Sequence, residues 1–375
     1  MEPLKMRLAV LTTGRQDWGI LRSTCLALSG EVILLAGGMH AEPRFGGTAQ
    51  ALVDDGFTPE LLRWAGEQTD APAHVQSAEA LRVVGDALAK HRPDALLLVG
   101  DRFETAAAAL AATVARVPIV HLHGGEETAG AFDNALRHAI TKLAHLHLVS
   151  HDVHARRVIA MGEDPATVHV VGAPGLDNLR RTDLATRGEL EAVLGMSLVA
   201  PVVLVTLHPA TLGGAPELEV AAMLAAMDRV PATYVITLPN VDPGAASIRT
   251  RLVAEAAKPG RCAVDALGER RYFGLMQICD AMLGNSSSGL IEAPVLRLPV
   301  INIGDRQQGR LREPNVVDVA ADVDAIETAL RRALEPAFRA ALPARSTFGD
   351  GHAAARIVEI LATWRPQLVK ATVPA

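Results

Sequence analysis

An α/β fold with two doubly wound parallel sheets is predicted by three features of the sequence. Short apolar runs alternate with longer amphipathic stretches along most of the chain, the rhythm of strands covered by helices on both faces. The rhythm breaks once, near 180–200, and then restarts. With 375 residues the chain is long for a single hydrophobic core, so two Rossmann-like domains of similar size are expected.

The elements follow in order. MRLAVLT (6–12) reads as a buried strand, WGILRSTCLAL (18–28) as the helix after it and EVILLAGG (31–38) as a second strand. PDALLLVG (93–100) is a strand entered through Pro and left through Gly, and FETAAAALAATVAR (103–116) is an Ala-rich helix with no breaker. VPIVHLHGG (117–125) runs from strand into Gly-Gly. In 133–146, Leu136, Ala139, Ile140 and Leu143 recur at helical spacing. LHLVS and TVHVVGAP add strands. Beyond the charged, turn-rich break, strands recur at VVLVTLHPA (202–210), TYVITLPN (233–240), DAMLGN (280–285) and PVINIG (299–304). The expected domains are therefore 1–185 and 186–351, with a segment 352–375 whose helix, HAAARIVEILATW (352–364), is placed to pack back on the first domain.

Composition narrows the function. At 49% hydrophobic and 21% charged the chain is a folding sequence, not a disordered one. The net charge of −6 and the absence of any Lys/Arg-rich run exclude nucleic acid as the expected partner. Cys25, Cys262 and Cys279 are odd in number and far apart, which suggests neither a disulfide framework nor a thiolate zinc site. The N-terminal apolar run is too short for a signal peptide, and no stretch reaches membrane-spanning length. A soluble cytoplasmic protein with no membrane partner is expected.

Ligands of open α/β sheets bind beyond the carboxyl ends of the strands, and two such domains facing each other would put a cleft between those edges. Polar residues that follow strands are therefore the candidates. Arg15 and Asp17, in TTGRQDWG, would flank a helix N-terminus that favours an anion; taken alone, an ordinary polar loop with a capping Asp explains them better. Asp101 and Arg102 follow ALLLVG, where an N-cap is the commoner role for Asp101. Glu126 follows two glycines that allow close approach of backbone to a ligand, which makes it a candidate acid/base. His121 and His123 fall on one face of a strand, but neither they nor His138, His145, His147 and His151 show metal-ligand spacing, so no metal is expected. Asp133 and Arg137 form an i, i+4 ion pair on paper, or Asp133 caps its helix at the cleft end. His208 lies just past a strand, with Pro209 fixing the turn. Asn240 and Asp242 follow another strand, in a composition that also favours a plain turn.

The strongest pattern is GNSSSGLIEAP (284–294): strand, Gly, three serines, Gly, helix. Ser286, Ser287 and Ser288 bring hydroxyls and N–H groups to a helix N-terminus, a phosphate cradle without the Lys of a P-loop. Glu292, one turn inside, suits the vicinal hydroxyls of a ribose, and Arg306 and Arg310 in GDRQQGR add positive charge for a diphosphate.

Together GDRFE, HLHGGEETAGAFDNALRHAITK, LHP, PNVD, GNSSSGLIEAP and INIGDRQQGR resemble the hydrolysing UDP-N-acetylglucosamine 2-epimerases of sialic-acid-type pathways, in order and over nearly the whole chain. The resemblance implies a GT-B architecture, two Rossmann-like domains facing a central cleft that holds the nucleotide-sugar. It implies loss of UDP from the sugar with removal of the C2 proton, hydration of the resulting glycal, and release of N-acetylmannosamine and UDP. No nicotinamide, metal or other cofactor is implied. By matching positions, Asp101, Glu126 and Asp133 carry over as the acidic set. His208 carries over as a substrate or phosphate contact and is counted with them in the expected catalytic group. Arg15, Arg102, Asn240, Asp242, Ser286, Ser287, Glu292 and Arg306 are the expected contacts to the UDP-sugar. A homodimer or homotetramer is expected. Two departures bear on substrate preference: TTGR stands where the family reads Thr-Gly-Thr-Arg, and Asn134 follows Asp133 where an acidic residue is usual. A related group acts on a 2,4-diacetamido-6-deoxy UDP-sugar in legionaminic acid synthesis, and that substrate stays open. A GT-B glycosyltransferase would need an acceptor groove, and a non-catalytic binder would have no use for three carboxylates at strand ends.

Overall fold

The computed structural model describes residues 6–28, 32–42, 48–64, 71–127, 133–209, 216–239, 245–265 and 267–370. In chain order the first unit runs β1 (Leu8–Thr12), α1 (Arg15–Ala27), β2 (Val32–Ala36), α2 (Gln50–Asp54), β3 (Glu60–Leu61), α3 (Ala73–His91), β4 (Ala95–Val99), α4 (Phe103–Val114), β5 (Ile119–Leu122), α5 (Asp133–Leu143), β6 (Leu146–Val149), α6 (Asp152–Ala160) and β7 (Val168–Val170). The second runs α7 (Arg187–Leu194), β8 (Val202–Thr206), α8 (Pro216–Arg229), β9 (Thr233–Thr237), α9 (Ala245–Glu255), β10 (Arg261–Val264), α10 (Gly268–Ile278), β11 (Ala281–Gly284), α11 (Ser288–Ile291), β12 (Val300–Ile303), β13 (Val316–Val319), α12 (Val323–Ala333) and α13 (Pro336–Ala341). A last helix, α14 (Ala353–Thr363), returns to the first unit.

Both sheets are parallel throughout the described pairings, in the orders β3-β2-β1-β4-β5-β6-β7 and β10-β9-β8-β11-β12-β13. Each therefore reverses its winding once, between β1 and β4 and between β8 and β11. The crevice at such a reversal is where doubly wound sheets bind ligands. Arg15 and Asp101 flank the first reversal, and His208 and the serine run flank the second.

The strands read as continuous apolar runs because both faces are buried. In β1, Leu8 and Val10 join one core layer, Ala9 and Leu11 the other. In β8, Val203 and Val205 divide in the same way from Val202 and Leu204. The chain divides by packing at Asp177/Asn178 and again at Thr347/Phe348. Ile357, Val358 and Leu361 of α14 lie in the core layer of Trp18, Leu21 and Cys25 of α1. The stretch read as a break holds α7, started by a reciprocal box in which Thr186 and Glu189 satisfy each other's N–H groups and stopped by left-handed Gly195. Among the described residues no helix is long and apolar enough to cross a membrane.

Candidate functional site

In the first unit the carboxyl ends of β4, β5 and β6 gather a buried polar network. Arg137, 3% exposed in its side chain, forms an ion pair with Asp101. Its Nη1 donates to the main-chain carbonyl of Glu126 at 2.7 Å. Asp101 and Glu126, 25 positions apart, are thus tied by one guanidinium from the helix that Asp133 opens. Asp101 does not cap α4: the capping position is Arg102, with no side-chain bond there. The Arg102 guanidinium instead lies on buried Glu104, at 3.0 and 3.1 Å.

Glu126 is buried, and its Oε1 takes two partners, His123 Nδ1 at 2.6 Å and Ser150 Oγ at 2.9 Å. Ser150 also meets His154 Nδ1 at 3.0 Å. The paired glycines shape this turn: Gly125 has φ +74°, and a Cβ there would sit 2.6 Å from the His154 carbonyl. The strand ends at Leu122, so His121 and His123 do not share a strand face; His123 turns off it at φ +65°. Burial pushes His121 down to about 3 and His154 down to about 4, so both are neutral at ordinary pH. Among the described residues no three His, Cys, Asp or Glu side chains converge as a metal set.

Asp17 does not project toward a ligand. It is buried, accepts from the Thr13 N–H at 2.8 Å and the Thr13 hydroxyl at 2.5 Å, and burial raises its carboxyl to about 6. Arg15 is the first residue of α1, at the carboxyl end of β1.

In the second unit Asn285, 1% exposed, joins three of the sequence motifs. Its amide exchanges two 2.8 Å bonds with the main chain of His208, and its main-chain carbonyl accepts from Arg306 at 3.0 Å and Gln307 at 2.7 Å. LHP, GNSSSG and GDRQQGR are one constellation because a single buried residue holds them.

The serine run departs from expectation in its helix, in the place of Glu292 and in one of its donors. The helix it opens, α11, has four residues, so a summed helix dipole contributes little there, and Glu292 stands at its end rather than one turn inside. Ser286 Oγ accepts from the N–H of Ser288 at 3.3 Å, which takes one of the expected donors. The flanking glycines are packing residues. Gly284 has φ +133°, where a Cβ would sit 2.0 Å from the Thr206 carbonyl oxygen, and a Cβ on Gly289 would meet Val300 at 2.7 Å. Ser286, Ser288 and Thr206 are hydrogen-bonding neighbours of the Tyr272 phenol, which burial pushes up to about 12. Glu292 is 9% exposed, and its buried Oε2 has no partner among the described residues. Burial raises its carboxyl to about 8, outweighing a bond from Ser288 and the charge of Arg310.

Sequence reasoning placed Asp101, Glu126, Asp133, His208, Ser286, Ser287, Arg306, Arg15 and Arg102 after strands or at helix starts, where they lie, and Glu292 inside the helix that it instead ends. Asn240 and Asp242 fall outside the described residues. It missed Glu104, Ser150, His154, Tyr272, Asn285 and Gln307, and it read Arg137 as a partner of Asp133 alone. Asn285 and Ser150 each directly follow a strand, the one signal that could have found them.

The family model for UDP-N-acetylglucosamine 2-epimerase matches residues 27–362. A GDP/UDP-N,N'-diacetylbacillosamine 2-epimerase (hydrolyzing) from Campylobacter jejuni is 32% identical over 323 residues, 84% of each chain. A UDP-N,N'-diacetylbacillosamine 2-epimerase (hydrolyzing) from Legionella pneumophila is 32% identical over 369 residues, 96% of each. The structure of the Neisseria meningitidis UDP-GlcNAc 2-epimerase bound to UDP-GlcNAc superposes with a TM-score of 0.81 at 17% identity, covering 95% of this chain and 99% of that one, which shows the same GT-B-like fold. The doubly wound pair of units and the match over most of the chain agree, and the chain belongs to the UDP-N-acetylglucosamine 2-epimerase family, in its hydrolysing group.

Proposed function

We propose that the protein converts a UDP-linked 2-acetamido sugar to UDP and the free 2-epimeric sugar. The C2–H bond breaks, its electron pair forms the C1–C2 double bond, and UDP leaves with the C1–O pair. Water then adds across the glycal, with the proton going to C2 and the hydroxyl to C1. The observation that carries this reading is the tie between Asp101 and Glu126 through buried Arg137, in a chain of this family.

In this reading Asp101, Glu126 and Asp133 share proton transfer and water activation, and His208 contacts the substrate phosphate. Arg15, Arg102, Ser286, Ser287, Glu292 and Arg306 hold UDP, and Asn240 and Asp242 join them on the strength of the sequence alone. The two relatives at 32% identity are named for a diacetamido sugar, which favours UDP-2,4-diacetamido-2,4,6-trideoxyglucose as substrate. The family description supports UDP-N-acetylglucosamine as the second reading.

Proton NMR of the protein with each UDP-sugar in deuterated water tests both points. One of the two should yield UDP and free sugar carrying deuterium at C2. Unlabelled C2 would overturn elimination, and a product still bearing UDP would overturn hydrolysis. A separate expectation concerns the serine run. Ser287→Ala should weaken UDP binding about tenfold, the loss of one hydrogen bond to a charged group. Calorimetry showing unchanged affinity would remove Ser287 from the contacts.

A further inference from the structure

We propose that His123 and Ser150 are positioning residues for Glu126, joined to His154 in a one-directional hydrogen-bond relay that orients this carboxylate for proton transfer. The inference rests on the reading above, in which Glu126 exchanges a proton with the sugar.

The direction of the relay follows from donor and acceptor capacity. As the proton acceptor of the reaction proposed above, Glu126 is a carboxylate, and a carboxylate only accepts. The two contacts at Glu126 Oε1 therefore make His123 Nδ1 and Ser150 Oγ both donors. Ser150 has one proton and has spent it on Glu126, so at its 3.0 Å contact with His154 Nδ1 it accepts. The chain reads His154 Nδ1–H to Ser150 Oγ, Ser150 O–H to Glu126 Oε1, and His123 Nδ1–H to the same oxygen. His123 is 8% exposed, and its buried Nε2 has no partner among the described residues. Burial keeps the His154 ring neutral.

The backbone supports the same conclusion. His123 holds φ +65°, a conformation uncommon for residues other than glycine. Its N–H bonds to the Leu148 carbonyl at 3.1 Å, which anchors the turned residue to β6 two positions before Ser150. Backbone strain of this kind persists where the surroundings over-determine it. Here the effect is to bring an imidazole from the end of β5 and a hydroxyl from the end of β6 onto one oxygen.

The test uses Ser150→Ala, His123→Leu and His123→Asn in the full chain, with melting temperature, UDP affinity, KM and kcat measured on each. Asn keeps an N–H donor near the Nδ1 position and tolerates positive φ. Ser150→Ala and His123→Leu should each lower kcat by about tenfold or more, with KM and UDP affinity little changed. His123→Asn should recover most of the loss. Ser150→Ala deletes one hydroxyl and is expected to fold, so it decides the matter even where His123→Leu does not. Wild-type kcat in Ser150→Ala, or His123→Asn as impaired as His123→Leu at equal melting temperature, overturns the relay. Failure of the underlying reading looks different: it would appear in the unsubstituted protein as product without C2 deuterium, or as normal turnover in Glu126→Gln.

Discussion

Glu126→Gln should reduce turnover by about 10²–10⁴-fold, the usual contribution of a general acid–base group, while UDP affinity changes little. The amide keeps the shape of the side chain and can still accept from His123 and Ser150, but it cannot take a proton. Asp133→Asn should behave in the same way. Asp101→Asn should lose turnover and stability together, because its carboxylate is the ion-pair partner of a guanidinium only 3% exposed. Weakening one side of a buried pair leaves a charge poorly compensated. Melting temperature, UDP affinity and turnover on the same three variants separate these outcomes. A Glu126→Gln protein that melts early yet turns over normally would make Glu126 a structural residue and would remove the basis of the proposed chemistry.

Glu292→Gln should make the empty protein more stable at high pH while weakening its grip on UDP. In the folded state burial holds the Glu292 proton up to about pH 8, against a reference value of 4.5. Between those values the native state binds more protons than the unfolded one, so stability falls as pH rises through the window. The penalty is absent below the lower value and complete above the upper one, where it is on the order of a few kcal/mol. An amide carries no such dependence. Urea melts from about pH 5 to about pH 9 should show the variant gaining on the unsubstituted protein as pH rises; a constant difference would mean that Glu292 ionises normally. UDP affinity should fall by about tenfold in Glu292→Ala, where the proposed contact to ribose is removed outright.

β1, β4 and β8 are legible in the sequence because both faces of a parallel sheet are buried, which forces unbroken apolar runs. α7 was also legible, in Thr186 and Glu189 spaced as a capping box, but its charged surroundings masked it as a break. Strand ends and the glycines beside Glu126 marked the candidate residues, because a reversal of winding puts those ends at one crevice.

What the sequence by itself determined was the alternation of elements, the residue types at each strand end and, through motif order, the family. These are local properties, set by side-chain period and turn chemistry within a few positions. The tertiary structure alone decided which polar groups share partners. Arg137, spaced for Asp133, bonds to Asp101 and to the Glu126 carbonyl; Asn285 binds motifs 77 and 21 to 22 positions away; Ser150 meets Glu126 from 24 positions on. It also decided that Glu292 ends a four-residue helix with its side chain buried, which raises its carboxyl to about 8. Desolvation and hydrogen-bond geometry depend on which strands lie side by side, and in a parallel sheet neighbouring strands are separated by a whole crossover of chain.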